Sequence, residues 1–501
     1  MKTSVKYVVL LALAGALQAA VKLPALVSDH MVLQQGAPVR IWGTADAGET
    51  VRVDFEGQSV STKAAENGKW AVWLKPLAAA GPLEMTIAAS NTIVIHDVLV
   101  GEVWVASGQS NMEFVLSNAV NHDEEIAHAD YPLIHLFHVR RAVADQPAED
   151  VVGTWQVCSP QSVPRFSAVE YFFGRELFHT LHVPMGLIES DWGGTPAQSW
   201  TSRPGLNADA RMKFIQDDWD RVLANYPAAK ERYEKQLEDW KQRAAAARAE
   251  GKTPPNQPGL PPGPGHQNTP AGLYNGMIAP LTPYGIRGVI WYQGESNASE
   301  AHAWRYRELF ADMIEDWRKQ WGEGDFPFLF VQLANYKSNQ WWPVLRESQT
   351  ETLRLHNTGM AVTIDVGESR DIHPKNKQDV GRRLALAARH IAYHEAIDYS
   401  GPLYRQTTTE GNQLRVWFSH ADGLLAKGGG AISGFTVAGA DGNFVDAEAR
   451  IEGSTVVVSN PQVSNPVAAR YAWADDPVCN LYNQAGLPAS PFRSDEPHYP
   501  Q

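Results

Sequence analysis

Residues 101–113 read GEVWVASGQSNME, and the fold turns on how that stretch is parsed. The apolar run Val103, Trp104, Val105, Ala106 stops abruptly at Ser107-Gly108-Gln109-Ser110-Asn111. A short apolar run bounded by turn residues is the pattern of a buried strand. Read this way, the strand delivers Ser110 to the start of a helix, beside backbone N–H groups that no helical partner uses. A serine nucleophile needs access and an anion-stabilising cradle, and that position offers both. A Ser/Asn-rich helix cap fits the same residues equally well, so the rest of the chain decides.

Outward from this run, apolar strands alternate with helical stretches. Strands are expected at 103–106, 133–139, 183–189, 288–292, 328–333 and 359–365, and helices at 168–182, 304–321 and 377–393. Such alternation predicts an α/β fold: a mostly parallel sheet with helices on both faces and ligands at the carboxyl ends of the strands. Residues 21–98 instead show short alternating runs at 38–42, 50–55, 70–74 and 83–88, broken by turns, which read as a β-sandwich. After Tyr399 short strands return at 413–418, 434–438, 449–452 and 455–459. Residues 471–493 look irregular and are expected to wrap back over the other parts. The expected organisation is a signal peptide at 1–20, a β-sandwich at 21–98, an α/β domain at 99–398 and a β-rich region at 399–501.

An insertion at about 205–270 interrupts the α/β domain. Trp219, Leu223, Tyr226, Tyr233, Leu237 and Trp240 form one apolar stripe on a charged helix. The proline-rich run 254–264, PPNQPGLPPGP, then returns as a loop. The stripe is expected to pack on the core; a lid over the site and a dimer contact are the alternatives.

The chain has 501 residues, 44% hydrophobic and 20% charged, which places it among multidomain globular proteins. A net charge of −13 argues against a nucleic-acid or anionic-membrane partner. The N-terminus MKTSVKYVVLLALAGALQAA has Lys2 and Lys6, an apolar stretch at 8–17 and small residues Ala19 and Ala20. This is the pattern of a secretory signal, so the mature chain is expected to be exported, periplasmic or secreted, with no membrane partner after cleavage. Cys158 and Cys479 permit a disulfide, and two buried thiols fit as well, with the reading leaning to free thiols. No zinc-ligand spacing is present in the sequence.

Three further segments complete the candidate chemistry. Residues 189–200, ESDWGGTPAQSW, follow a strand, and Gly193-Gly194 suits an oxyanion donor as well as a plain turn. Residues 289–297, VIWYQGESN, end a buried strand at Gln293, whose amide suits the same task, with Glu295 beside it. Residues 365–379, DVGESRDIHPKNKQD, place His373 in a loop with Asp371 two residues before it. Histidine is the usual base for serine, and a carboxylate can fix its tautomer.

The sequence departs from the G-x-S-x-G elbow of common lipases, because Ser110 lies in G-Q-S-N. The chain resembles the sialate O-acetylesterase family of SGNH-type carbohydrate esterases along nearly all of its mature length. The resemblance rests on 23–43 (LPALVSDHMVLQQGAPVRIWG), GEVWVASGQSNME, DWGGTPAQSW, 274–281 (YNGMIAPL), WYQGESN, 371–385 (DIHPKNKQDVGRRLA) and WADDPVCNLYNQAGLPASPFRSD. It implies a flavodoxin-like SGNH three-layer sheet flanked by β-sandwich-like domains. It also implies Ser110 as nucleophile, His373 as base, and oxyanion donors from Ser110, Gly193 or Gly194, and Gln293. SGNH enzymes usually place the acid three residues before the histidine. Arg370 stands there, so Asp371, Glu295, Asp365 or a backbone carbonyl is left to orient His373, or the site works as a dyad.

The expected reaction is two-step acyl transfer from an acetylated carbohydrate, without metal or organic cofactor. The 17 tryptophans include Trp192, Trp200, Trp341 and Trp342 in or near the expected loops, and aromatic faces stack on sugars. A sialate carboxylate calls for arginine, for which Arg203 and Arg346 are the candidates. Acetylated xylan or xyloglucan fits as well, and a binding protein with a degenerate catalytic core, or a peptidase or lipase, is the competing class.

Overall fold

The computed structural model describes residues 20–338 and 340–496, so the expected signal peptide lies outside the described residues except for Ala20. No helix among the described residues is long and apolar enough to cross a membrane.

The chain is α/β with a mixed sheet. Its centre is built from β1 (Thr92–Gly108), β2 (Tyr131–His138), β3 (Trp155–Cys158), β4 (Met185–Asp191), β5 (Gly288–Tyr292), β6 (Phe328–Val331) and β7 (Thr358–Ala361). The spatial order is β7-β6-β5-β1-β4-β2-β3. All neighbours are parallel except β3, which is antiparallel to β2. Taken alone, β1, β4, β5, β6 and β7 follow the 2-1-3-4-5 order of a doubly wound sheet, whose direction of winding reverses at β1.

The helices of ten or more residues are α1 (Ala168–Leu181), α2 (Lys213–Ala249), α3 (Tyr306–Trp321), α4 (Trp342–Glu351) and α5 (Lys377–Ile391). Phe328 and Phe330 pack on Phe310 of α3, at ring separations of 5.9 and 5.1 Å. Leu329, pointing the other way, meets Gly359, which packs against Ile391 of α5. The two-residue period thus covers both faces with helices, and strands buried on both faces read as continuous apolar runs. Ser167 caps α1 by accepting the Glu170 N–H, and Asn376 caps α5 by accepting the Asp379 N–H.

Strand β1 belongs to two environments. Its first half pairs with the antiparallel strand Ala80–Ala88 and the parallel strand Val32–Gln34, and its second half is the centre of the α/β sheet. The expected boundary between 98 and 99 therefore falls inside one unbroken strand. Strands β1, β4 and β5 end on one row, with Gly108 opposite Asp191 on one side and Tyr292 on the other.

Several expectations need correction. No α-helix begins at Ser110; the chain turns instead, with the Met112 and Glu113 N–H groups both donating to the Gln109 carbonyl. The stripe on α2 does not pack on the core, since only Ile215, Trp219 and Ala244 of that helix are buried. The proline-rich return lies along the stripe instead: the Trp240 indole donates to the Pro255 carbonyl at 2.7 Å, and Tyr226 packs against Gly263. A proline-rich segment has few N–H groups to pair, so an adjacent apolar face is its natural support. Strand β3 and helix α4 were not foreseen. Cys158 and Cys479 are free thiols. The 471–493 segment does wrap back, with Asp476 accepting from Asn335 and Ser490 from Gln332.

Gly108 has φ +140°, and a Cβ there would lie 2.2 Å from the Tyr292 carbonyl oxygen. Gly108→Ala is expected to lower the melting temperature clearly and, by pushing β1 off β5, to reduce turnover. An unchanged melting curve and rate would contradict the close approach.

Candidate active site

The common end of β1, β4 and β5 sets the site, because Ser110, Gly193 and Gln293 each follow it by one or two residues. It lies where the winding reverses, which is where open α/β sheets bind ligands. The loop after β7 brings His373 to the same place. His373 Nε2 is 2.9 Å from Ser110 Oγ, so with Nε2 unprotonated the hydroxyl donates to the imidazole. Ser110 is half-buried and the His373 side chain is 37% exposed, so the pair is in contact with solvent.

Among the described residues no acid hydrogen-bonds the His373 ring. Asp371 Oδ1 accepts the His373 backbone N–H at 3.0 Å, an Asx-turn, and sits 3.7 Å from Nδ1, too far for a hydrogen bond. The i, i+2 spacing is the reason: it suits the carboxylate to the backbone of the turn. Asp365 is committed to a bidentate pair with Arg383 and to the Tyr482 hydroxyl. Glu295 accepts from Asn111 at 2.6 Å and has no hydrogen bond to His373. What flanks the imidazole is Phe114, stacked at 6.5 Å.

The expected oxyanion donors divide. Among the described residues the Ser110 and Gly194 amides donate to no protein acceptor. Gly193 adjoins Ser110, since a Cβ on it would lie 3.2 Å from the Ser110 Cβ, but its amide donates to the Glu113 carboxylate. Gln293 is a correction. Its Nε2 faces Asn297 Oδ1 at 2.8 Å, Thr195 O at 3.2 Å and Gln109 Oε1 at 3.2 Å, while its Oε1 accepts from Tyr306. Fully buried and saturated, this amide braces the loops and has no donor to spare. Gln267, at the end of the insertion, donates to the Gly193 carbonyl at 2.9 Å and holds the glycine turn from outside.

The electrostatics favour a neutral imidazole. Burial and the neighbouring Lys377 charge lower the His373 pKa, while Asp371 opposes them. Lys377 is fully buried and pulled down to about 7 by that burial.

A cleft of about 510 Å³ opens beside Glu113, lined also by His138, Arg140, Arg141, Arg165 and Phe166. Glu113 pairs with Arg141, whose guanidinium lies 5.4 Å from the Trp192 ring. Arg140 and Arg165 are exposed and make no side-chain hydrogen bond or ion pair among the described residues. His138 contacts the buried Glu189 at 3.1 Å, which raises its pKa. The arginines expected for a carboxylate are elsewhere. Arg346 is buried and donates to four backbone carbonyls, and Arg203 donates to Gln216 and the Pro270 carbonyl. Trp200 and Trp342 are core, whereas Trp192 and Trp341 are partly exposed. Glu113 and Asn111 stood in the quoted motif and Lys377 in the histidine motif, but only their spatial neighbours reveal their contacts.

A family model described as carbohydrate esterase, sialic acid-specific acetylesterase, matches residues 266–390. The sialate O-acetylesterase of Mus musculus is 30% identical over 519 residues, covering 93% of each chain. That of Homo sapiens is 32% identical over 421 residues, covering 75% of this chain and 72% of the other. The crystal structure of a carbohydrate acetylesterase from Xanthomonas citri superposes with a TM-score of 0.82 at 37% identity, covering 95% of this chain and all of that one.

The His373 imidazole is expected to titrate below the ordinary value of 6.5 when followed by NMR. Asp371→Asn should lower the midpoint further, because it removes the negative charge that favours the imidazolium. A midpoint at or above 6.5 in the parent protein would contradict the burial of the ring.

Proposed function

Since the chain belongs to the sialate O-acetylesterase family and is a carboxylic ester hydrolase, we propose that it removes O-acetyl groups from carbohydrate through an acetyl-serine intermediate on Ser110. The observation that carries this reading is the 2.9 Å contact between Ser110 Oγ and His373 Nε2 beside unengaged backbone amides. The flavodoxin-like strand order supports an SGNH-type sheet, with the β-rich residues 21–98 and 399–501 as flanking domains.

In the first step His373 Nε2 takes the Ser110 proton as Oγ attacks the acetyl carbonyl. The oxyanion forms against the Ser110 and Gly194 amides. The Gly193 amide joins them once Glu113 swings away toward Arg141, because a carboxylate at that position repels the developing charge. His373 then gives its proton to the departing sugar oxygen. Water then attacks the acetyl-serine as His373 takes its proton, and His373 returns that proton to Ser110 Oγ as the acyl–Oγ bond breaks and acetate leaves. The work rests on a Ser–His pair, with Asp371 acting through charge and turn geometry.

For the substrate, the cleft favours an acidic acetylated sugar of the sialate type. Arg140 and Arg165, unpaired among the described residues, line the cleft with Glu113, which reaches the Gly193 turn next to Ser110, and they fit a carboxylate, which is the chemistry that guanidinium groups bind best. Trp192 offers an aromatic face at the same edge.

Ser110→Ala should lower kcat on p-nitrophenyl acetate by at least about 10,000-fold with the fold intact. Retained turnover in a clean preparation would refute the assignment. Asp371→Asn should cost far less than His373→Ala, and far less than the roughly 10,000-fold that an aspartate hydrogen-bonded to the imidazole is worth. Equal losses would make Asp371 a full triad member. An acetate-release panel should favour O-acetyl sialic acid over acetylated xylan and xyloglucan, and Arg140→Ala/Arg165→Ala should raise KM on the sialate alone. A preference for the neutral polymers would overturn the acidic-sugar reading and leave the esterase reading standing.

A further inference from the structure

One buried side chain joins the two halves of the reactive pair. Asn111 directly follows Ser110, and its Nδ2 donates to the carbonyl of Ile372, the residue before His373, at 3.0 Å. The same Nδ2 donates to Glu295 Oε1 at 2.6 Å. On the other side, Asn111 Oδ1 accepts from the Lys377 ammonium at 2.6 Å. Ser110 and His373 come from loops far apart in sequence, and this amide ties their immediate neighbours together.

The chemistry of its partners fixes which way the amide points. Turned over, it would set its NH2 against an ammonium and its oxygen against a carboxylate and a carbonyl. Only the observed orientation satisfies all three partners. Lys377 is the cation that enforces it. The ammonium is buried and, among the described residues, has no direct carboxylate contact, lying 4.8 Å from the Phe114 ring centre and 5.0 Å from that of Tyr292. A lysine at the first turn of a helix is ordinarily a solvated surface group and is unfavourable beside the positive helix end. Its burial at this point calls for a task, and no step of the acyl transfer uses it.

We propose that Asn111 is a positioning residue that holds Ser110 and His373 at reacting distance, and that Lys377 locks the Asn111 amide in the orientation this requires. The inference rests on the reading of Ser110 and His373 as the reactive pair. Lys377 has a second effect through charge. The groups facing His373 are Lys377 at the start of α5, Asp371 in its own loop, and Ser110, with the paired Glu113 and Arg141 farther off at the Gly193 turn. Glu295 faces Lys377 through Asn111. Of the two charges that set the imidazole, Lys377 favours the neutral base and Asp371 the imidazolium.

The test uses the full chain with p-nitrophenyl acetate as probe. Asn111→Ala should lower kcat by about 100-fold, the cost of a misplaced reacting group, with KM little changed. Asn111→Asp keeps the shape and the Lys377 contact but sets a carboxylate against Glu295 and the Ile372 carbonyl. It should lose as much as the alanine variant, which a merely space-filling role does not predict, and it keeps the test open if the alanine variant fails to fold. Lys377→Met should lower kcat and move the acid limb of kcat/KM to higher pH, because the imidazole loses its cationic neighbour. Folded Asn111→Asp with near-parental kcat, a loss carried by KM alone, or an unmoved acid limb in Lys377→Met would overturn the proposal. Ser110→Ala in the same assay separates the two failures: if it stays active the serine reading falls, and if it is dead while the Asn111 variants are not, only the positioning role falls.

Discussion

At Gly108 the backbone of β1 passes so close to β5 that a Cβ would lie 2.2 Å from the Tyr292 carbonyl. The contact is also a hydrogen bond away from the site, since the Gln109 N–H donates to that same carbonyl at 3.0 Å. Lateral closeness of this kind allows three parallel strands to finish on one row and release their chains into one crevice. A strand end displaced by one residue would turn its following side chain to the other face of the sheet. Ser110, the Gly193-Gly194 turn and Gln293 therefore share a location because of backbone packing that none of them takes part in directly.

Beyond the row, side-chain amides tie the turns to one another. Gln293 bridges the turns after β1, β4 and β5 from beneath, Asn111 bridges the serine and histidine loops, and Gln267 steadies the glycine turn from the insertion. Buried amides that are fully partnered specify one geometry, because each alternative leaves a donor or acceptor stranded. The more exposed charges sit on the open side. Glu113 and Arg141 pair with each other and line the cleft.

Much of this was legible in the sequence, for physical reasons. Val103–Ala106 and 288–292 are apolar on both faces and stop at polar turns, so their nature as strands of a helix-covered sheet and the placement of Ser110 at a strand end could be read directly. His373 could be read as a loop histidine arriving at the same crevice. Directions of side chains could not. Gln293 follows a buried strand as an oxyanion donor would, yet Tyr306, Asn297 and Thr195 take up its whole amide. Asp371 stands near enough to His373 in sequence, yet two-residue spacing commits it to an Asx-turn. Lys377 looks like an ordinary solvated lysine until α5 is docked against Asn111. The stripe on α2 looked like a core face because periodicity reports that a face is covered and is silent on what covers it. Residues 254–264 carry no periodic signal that would announce them as the cover.

The serine mechanism stands or falls on a covalent acetyl group at one oxygen. Mixing the enzyme with an acetylated sugar, quenching in acid within the first turnover and mapping the added acetyl mass by peptide sequencing reads that oxygen directly. The mechanism predicts the modification on Ser110, and its build-up in a His373→Ala background should be greatly slowed. An acetyl group on another residue, or steady acetate release with Ser110 unmodified and resistant to a fluorophosphonate label, would contradict it.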